Sequence, residues 1–156
     1  MTARVVVDVT VDAPQQLVWD AVTDWPRQSN WMLGTTVRAT TLDGVGPGGG
    51  IEAWTGLDLG RLELGFLDTM VVTEWEPPCR CVVRHTGRVV RGDGIFEVVA
   101  LPDGRSRFIW SEVLELPLGR LGRLGWPLVR PALVAGVRMS LRRLAADVAA
   151  DARRGR

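Results

Sequence analysis

The chain contains no lysine: every one of its 19 basic side chains is arginine. That absence removes Schiff-base chemistry through lysine, covalent attachment of pyridoxal phosphate, and any phosphate loop that needs its lysine. Tyrosine is missing as well, so no phenol can serve as an acid or an oxyanion donor. Cysteine is confined to Cys79 and Cys81, and His85 is the single histidine. Residues two apart on a strand share a face with Cα atoms roughly 6.5–7 Å apart, at the edge of disulfide reach. Two thiols and one imidazole fall short of the four ligands of a structural zinc site. Neither a metal nor any other cofactor is expected.

Long apolar runs are also absent. No basic stretch followed by an apolar segment opens the sequence, and nothing approaches the roughly 20 residues of a membrane span. The expected location is therefore the cytoplasm, without stable membrane insertion. A net charge of +1 gives no bulk attraction toward nucleic acid. Arginines 138, 142, 143, 153, 154 and 156 gather near the end, but Asp147 and Asp151 interrupt them. They read as a solvated helix face and tail, and no nucleic-acid partner is expected.

What is present suits one domain over residues 1–156. The hydrophobic fraction of 46% and charged fraction of 24% are ordinary for a globular chain large enough to bury a core. Residues 4–11 alternate, with Val5, Val7, Val9 and Val11 on one face, and predict a strand with one buried side. Asp12-Ala13-Pro14 ends it: Asp12 is the expected cap and Pro14 fits the first turn of a helix carrying Leu17, Val18, Ala21 and Val22 to about Thr23. Asp24-Trp25-Pro26 breaks that helix, and a second short one is expected over 27–32.

From residue 34 the pattern becomes strands over 35–42, 50–57, 61–74, 79–86, 88–100 and 105–116, with separators short enough to require antiparallel pairing. Gly92 and Gly94 inside one run suggest a bulge or sharp bend. The glycine-rich segment 44–50 reads as a loop, lacking the GK[ST] ending of a phosphate cradle. A long helix is expected from about Pro131 to Ala152, with Leu133, Val137, Leu141, Leu144 and Val148 as its apolar stripe. Gly119, Gly122 and Gly125 would form an irregular lead-in to it. The fold class is thus α+β: a curved seven-stranded antiparallel sheet wrapped around a long C-terminal helix, with two short helices between the first two strands. A sheet bent around a helix leaves interior volume, and a cavity for a small hydrophobic ligand follows.

Strand alternation assigns the inward side chains. Cys81, Val83 and His85 should face inward, as should Asp68, Met70 and Val72; Phe96 and Val98; and Phe108, Trp110 and Glu112. His85 and Glu112 form the sharpest chemical pair, because a buried carboxyl and an imidazole beside it can exchange protons with a carbonyl or hydroxyl. The competing reading pairs Glu112 with an arginine near the cavity mouth and His85 with backbone. Asp68 is expected either to meet an arginine such as Arg88 or Arg91 or to contact ligand. Seven tryptophans offer large apolar walls, and Trp31, Trp54 and Trp110 are expected at the cavity. The full set of expected ligand contacts is Trp31, Trp54, Asp68, Met70, Val83, Phe96, Phe108, Trp110, Leu133, Val137 and Leu141.

The order of elements and the local wording resemble the START/Bet v 1-like (SRPBCC, helix-grip) superfamily, and within it the bacterial polyketide cyclase/dehydrase-like group. The resemblance is carried by Val9-Thr10-Val11-Asp12-Ala13-Pro14, by residues 18–24, and by Trp31 and the glycine-rich loop. Residues 72–78, Gly94-Ile95-Phe96 and Phe108-Ile109-Trp110-Ser111-Glu112 complete it. It implies a deep pocket between sheet and helix that binds lipids, polyketides or other polycyclic compounds. Its members divide between non-catalytic binders or carriers and aromatase/cyclases, the latter reading assigning proton transfer here to His85 and Glu112. A protein-interaction module with a collapsed interior is a third outcome. The expected partner is a small hydrophobic molecule; the residues leave open ligand identity, turnover, and whether the chain is a monomer or a homodimer.

Overall fold

The computed structural model describes residues 2–58, 63–116 and 120–155. Strand β1 (Thr2–Val11) leads to helices α1 (Gln15–Thr23) and α2 (Gln28–Trp31). Strands β2 (Thr35–Thr41), β3 (Gly50–Asp58), β4 (Glu63–Glu76), β5 (Arg80–His85), β6 (Gly92–Ala100) and β7 (Ser106–Glu115) follow, and α3 (Arg120–Arg154) ends the chain. All strands join one antiparallel sheet in the order β1-β7-β6-β5-β4-β3-β2. From β2 to β7 each strand pairs with the next in sequence, and β1 closes the far edge by pairing with β7. The helices between β1 and β2 therefore cross from one edge of the sheet to the other. The α+β helix-grip architecture expected from the sequence is the one observed.

The alternation in β1 buries Ala3, Val5, Val7 and Val11. These side chains face the C-terminal half of α3, where Leu141, Leu144 and Val148 are fully buried. Arg27, at the start of α2, reaches Asp147 at 2.7 Å and also pairs with Asp151, which ties the two helices together at the surface. Asp147 and Asp151 are thus anchors as well as solvated residues.

Several expectations change. Pro14, not Asp12, occupies the position before α1, and it offers no side-chain cap. Leu17 is exposed, while Trp19 turns inward and meets Trp75 of β4 edge-on with ring centroids 5.1 Å apart; a bulky indole packed against the sheet orients the helix more strongly than one leucine. No bulge occurs at Gly92 or Gly94, because β6 keeps unbroken register with both neighbours. Gly92 instead starts the strand at φ +125°, where a Cβ would stand 1.8 Å from the Val113 carbonyl oxygen. The register shifts lie between Ala39 and Thr41 and between Val72 and Glu74.

The loop at 44–50 is held against β4: Gly48 N–H donates to Val72 O and Val72 N–H donates to Gly49 O, both at 2.8 Å. Gly44 admits Trp25, whose indole N–H donates to the Gly44 carbonyl at 3.1 Å. A side chain at Gly44 would collide with that ring.

Helix α3 starts at Arg120, well before Pro131, and carries Pro127 and Pro131 inside it. The irregular lead-in expected at Gly122 and Gly125 is helical; Gly119 and the expected strand start at Arg61 lie outside the described residues. Each proline forfeits the bond to the carbonyl four residues earlier. Since Pro131 lies four residues after Pro127, both losses fall on one side of the helix, and the other rows of bonds carry it through. No helix among the described residues is long and apolar enough to cross a membrane.

The burial contrast along α3 sets an expected outcome. Leu144→Ala, at a fully buried position, should cost about 2–5 kcal/mol. Leu128→Ala, at a side chain 82% exposed, should stay within about 0.5 kcal/mol. Urea unfolding of the two variants checks this, and equal midpoints would contradict the packing of α3.

Candidate functional site

Between the sheet and the N-terminal half of α3 lies a cavity of about 330 Å³. Phe66, Met70, Val83, Phe96 and Trp110 form its sheet wall, and Leu133, Gly136 and Val137 of α3 form the opposite one. Trp25, Met32 and Leu33 close one end. The half-burial of Leu133 and Val137, against the full burial of Leu141 and Leu144, marks where the helix stops touching the sheet and the cavity begins.

Three ionisable groups meet on the sheet wall. His85 Nδ1 lies 2.6 Å from Asp68 Oδ2, and His85 Nε2 lies 3.3 Å from Glu112 Oε2. The Trp110 indole N–H donates to Glu112 Oε1 at 2.5 Å. The chain Asp68–His85–Glu112–Trp110 therefore crosses four strands, with its three ionisable side chains only 8%, 9% and 14% exposed. The other polar side chains of the wall are satisfied elsewhere. Gln28 donates to Val22 O, Thr35 and Thr55 pair with each other, and Ser140 Oγ accepts from Leu33 N–H. Polar chemistry is thus concentrated at one place in an apolar chamber.

Register explains how this chain forms. Asp68 on β4 follows the Met70–His85 pair outward and stands beside Gly87, where a Cβ would come within 2.9 Å of Asp68 Oδ1. Glu112 on β7 is separated from His85 on β5 by all of β6. Gly94, in register with both Val83 and Glu112, leaves the intervening space clear. A Cβ there would lie 3.2 Å from Glu112 Oε1 and 3.5 Å from His85 Nε2. Glycine on the middle strand lets side chains on its two neighbours meet.

Burial pulls the His85 pKa down, but hydrogen bonds and charge from Asp68 and Glu112 outweigh it and raise the value to about 10. The imidazole therefore holds its proton at neutral pH, and each ring nitrogen donates to a carboxyl oxygen. Asp68 Oδ1 is buried without a partner. Among the described residues no cluster is arranged to hold a metal ion; the carboxyl groups flank opposite sides of the ring and do not converge on one point.

Of the residues singled out in the sequence, the cavity is lined by Asp68, Met70, Val83, His85, Phe96, Trp110, Glu112, Leu133 and Val137. Phe108 and Leu141 are fully buried in the core behind the wall. Trp31 is fully buried too and backs Trp110 edge-on at 6.2 Å; it sits beneath the lining. Trp54 is on the opposite face of β3, since its neighbours Ala53 and Thr55 both point into the cavity. Asp68 pairs with His85 and not with Arg88 or Arg91, both of which are exposed. Glu112 meets His85 and Trp110 in place of an arginine, and His85 meets carboxyl groups in place of backbone. Sequence reasoning missed Trp25, Phe66 and Gly136 as lining residues; Trp25 lay in a segment read only as a helix break. Gly94, expected at a bulge or sharp bend, instead clears the space between His85 and Glu112.

The chain belongs to the family described as polyketide cyclase/dehydrase and lipid transport, which matches residues 2–149. No curated protein matches it in sequence. Its fold is similar to that of a Thermus thermophilus protein, with 18% identity, a TM-score of 0.70, and coverage of 96% of this chain and 99% of that one. A Rhodobacter sphaeroides protein gives 16% identity, a TM-score of 0.71, and coverage of 94% and 92%. The Zhui aromatase/cyclase from Streptomyces sp. R1128 gives 15% identity, a TM-score of 0.69, and coverage of 95% and 94%. At these identities the likeness extends to the fold alone.

A single histidine makes the charge state directly measurable. The imidazole carbon-bound proton signals should titrate near pH 10, not near 6.5. Because the folded pKa is the raised one, this proton stabilises the fold fully below about pH 6.5. The contribution fades as pH rises through about 10. An NMR titration showing an ordinary histidine would break the Asp68–His85–Glu112 assignment.

Proposed function

We propose that the chain binds a small, largely apolar molecule between the sheet and α3, oriented by an oxygen substituent at His85 and Glu112. The observation that carries this is the pairing of aromatic and aliphatic walls with polar groups gathered at one point, in a volume within the range of small-molecule sites. Membership of a family whose description joins polyketide cyclisation with lipid transport is consistent with such a ligand.

The polar chain favours a more specific second reading, in which the site performs proton transfer on a β-keto chain. A passive carrier has no need for three buried ionisable groups, whose desolvation is unfavourable unless each is paired. A buried histidine held between two carboxyl groups, with its pKa raised as that of His85 is, is the kind of group that concentrates at functional sites. In this reading Glu112 accepts a proton from the carbon beside a carbonyl, and the His85 Nε2–H turns to the enolate oxygen that develops. The enolate carbon bonds to a second carbonyl carbon of the same chain as the first carbonyl re-forms, and the resulting alkoxide takes back the proton held by Glu112 to become a hydroxyl. Loss of that hydroxyl with a neighbouring proton releases water. Asp68 holds Nδ1 and so orients the ring.

Two measurements separate the readings. A Cβ added at Gly136 meets nothing within 4 Å, so Gly136→Phe should fill the cavity without disturbing α3 and weaken binding of 2-naphthol by more than about tenfold. Unchanged affinity would rule out this cavity as the binding site. His85→Gln and Glu112→Gln should weaken 2-naphthol by about tenfold, through the altered hydrogen bond to its hydroxyl, and reduce turnover of an accepted poly-β-ketone by the larger factor of about 10²–10⁴. If both variants turn over such a compound at the wild-type rate, the proton-transfer reading fails and binding alone stands.

A further inference from the structure

A second, more open groove-like cavity of about 310 Å³ adjoins the first, with Val89 and Val129 on its solvent-facing rim, 57% and 58% exposed. It lies between Val89 of the β5–β6 loop and Gly125, Trp126 and Val129 of α3. Val90 and Leu114 line both spaces and form the sill between them. Each cavity has one glycine of α3 in its wall: Gly136 in the first and Gly125 in the second. At both positions a Cβ would meet nothing within 4 Å. Glycine inside a helix is destabilising by up to about 1 kcal/mol relative to alanine, and here neither position needs it for backbone conformation or close packing. Each glycine instead borders one of the two spaces, Gly136 facing the enclosed cavity and Gly125 the more open groove.

Their spacing places the cavities in line. Eleven residues (125 to 136) are close to three helical turns, so both glycines fall on one face of α3, about 16 Å apart along its axis. The first cavity holds the buried polar chain, with His85 and Glu112 on its wall. The second has mainly aliphatic and indole walls, with Arg91 and Glu115 at its edge.

We propose that the two cavities form one elongated site along α3, taking an amphiphile whose oxygen-bearing ring occupies the first and whose apolar chain passes over Val90 and Leu114 into the second. The inference rests on the binding reading of the first cavity and adds the ligand's shape. Gly125 and the sill residues then determine how long a chain is accepted, while the ring end is read separately by the wall around His85.

The test compares 2-naphthol with 3-hexyl-2-naphthol by calorimetry on the full chain; the hexyl chain leaves the ring beside the hydroxyl, as required by Leu114 lying two residues from Glu112 and in register with His85 through Gly92. Each methylene that becomes buried should improve affinity about fourfold. The wild type should therefore bind the hexyl compound at least about thirtyfold more tightly. Gly125→Phe replaces glycine with a better helix former and fills only the second cavity. It should remove at least about tenfold of the chain's advantage and hold 2-naphthol within about twofold. Leu114→Trp, at the sill, should act in the same direction.

A chain advantage that survives both substitutions, or no advantage in the wild type, overturns the proposal. If only the hexyl compound binds, and Gly125→Phe abolishes it, the second cavity stands and the oxygen-orienting reading of the first fails. If neither compound binds, both readings fall.

Discussion

Only half of α3 is gripped. Leu141, Leu144 and Val148 lock its C-terminal half against β1 and the short helices, while from Val137 back toward the N-terminus the helix stands off the sheet. Close-packed interiors normally fill such a gap, because unfilled volume forfeits dispersion contacts on every wall. Here the helix does not collapse onto the sheet, since the edge-to-face cluster of Phe96, Phe108 and Trp110, backed by Trp31, forms a stiff floor. Gly136 withholds the side chain that would otherwise fill the space. The tight half provides stability and fixes the angle of the helix; that fixed angle holds the loose half away.

The polar chain depends on the same curvature. Side chains on strands separated by another strand are ordinarily kept apart by the residue between them, whose side chain points to the same face. Gly94 removes that residue's bulk, so the curved sheet can fold the His85 ring toward Glu112. Gly87 gives Asp68 the same freedom at the strand end. Once formed, the arrangement is electrically self-consistent: a buried imidazolium between carboxyl groups offsets the unfavourable transfer of each from water. Removing one partner would leave the others uncompensated, which makes the unit cooperative.

The fold was legible in the sequence to a greater depth than the site. Alternation in 4–11 and the 3.6-residue stripe from Leu133 to Val148 each follow from burial on one face, a local property of the chain. Strand alternation also placed His85, Glu112 and Asp68 on the inner face. Their mutual contact was only partly readable, because register across β5, β6 and β7 is a non-local quantity and the pairing of Asp68 with His85 leaves no spacing in the sequence. Glycines were the hardest to interpret: Gly92, Gly94, Gly125 and Gly136 share one letter and serve three different ends. A backbone φ of +125° explains the first, clearance between side chains the second, and open volume the others. Pro127 and Pro131 misplaced the start of α3 for a related reason, since helix continuity depended on neighbouring hydrogen bonds that a proline rule does not count.

Composition narrows what the site can do. With no lysine or tyrosine in the chain and, among the described residues lining the two cavities, no arginine except Arg91 at the edge of the second, His85 is the one described group lining the first cavity able to present a positive charge to a ligand oxygen. Its two carboxyl neighbours keep it charged, and they also occupy both of its N–H groups. In the proposed binding mode the His85–Glu112 hydrogen bond, at 3.3 Å the longer of the two, is exchanged for one to the ligand, while the 2.6 Å bond to Asp68 persists. That difference in length gives the ring a fixed side and an exchangeable side. The exchangeable side faces Glu112, whose own second oxygen is held by Trp110. A ligand oxygen entering there would free one carboxylate oxygen and engage one imidazolium proton in a single step, so that acid and acceptor become available together.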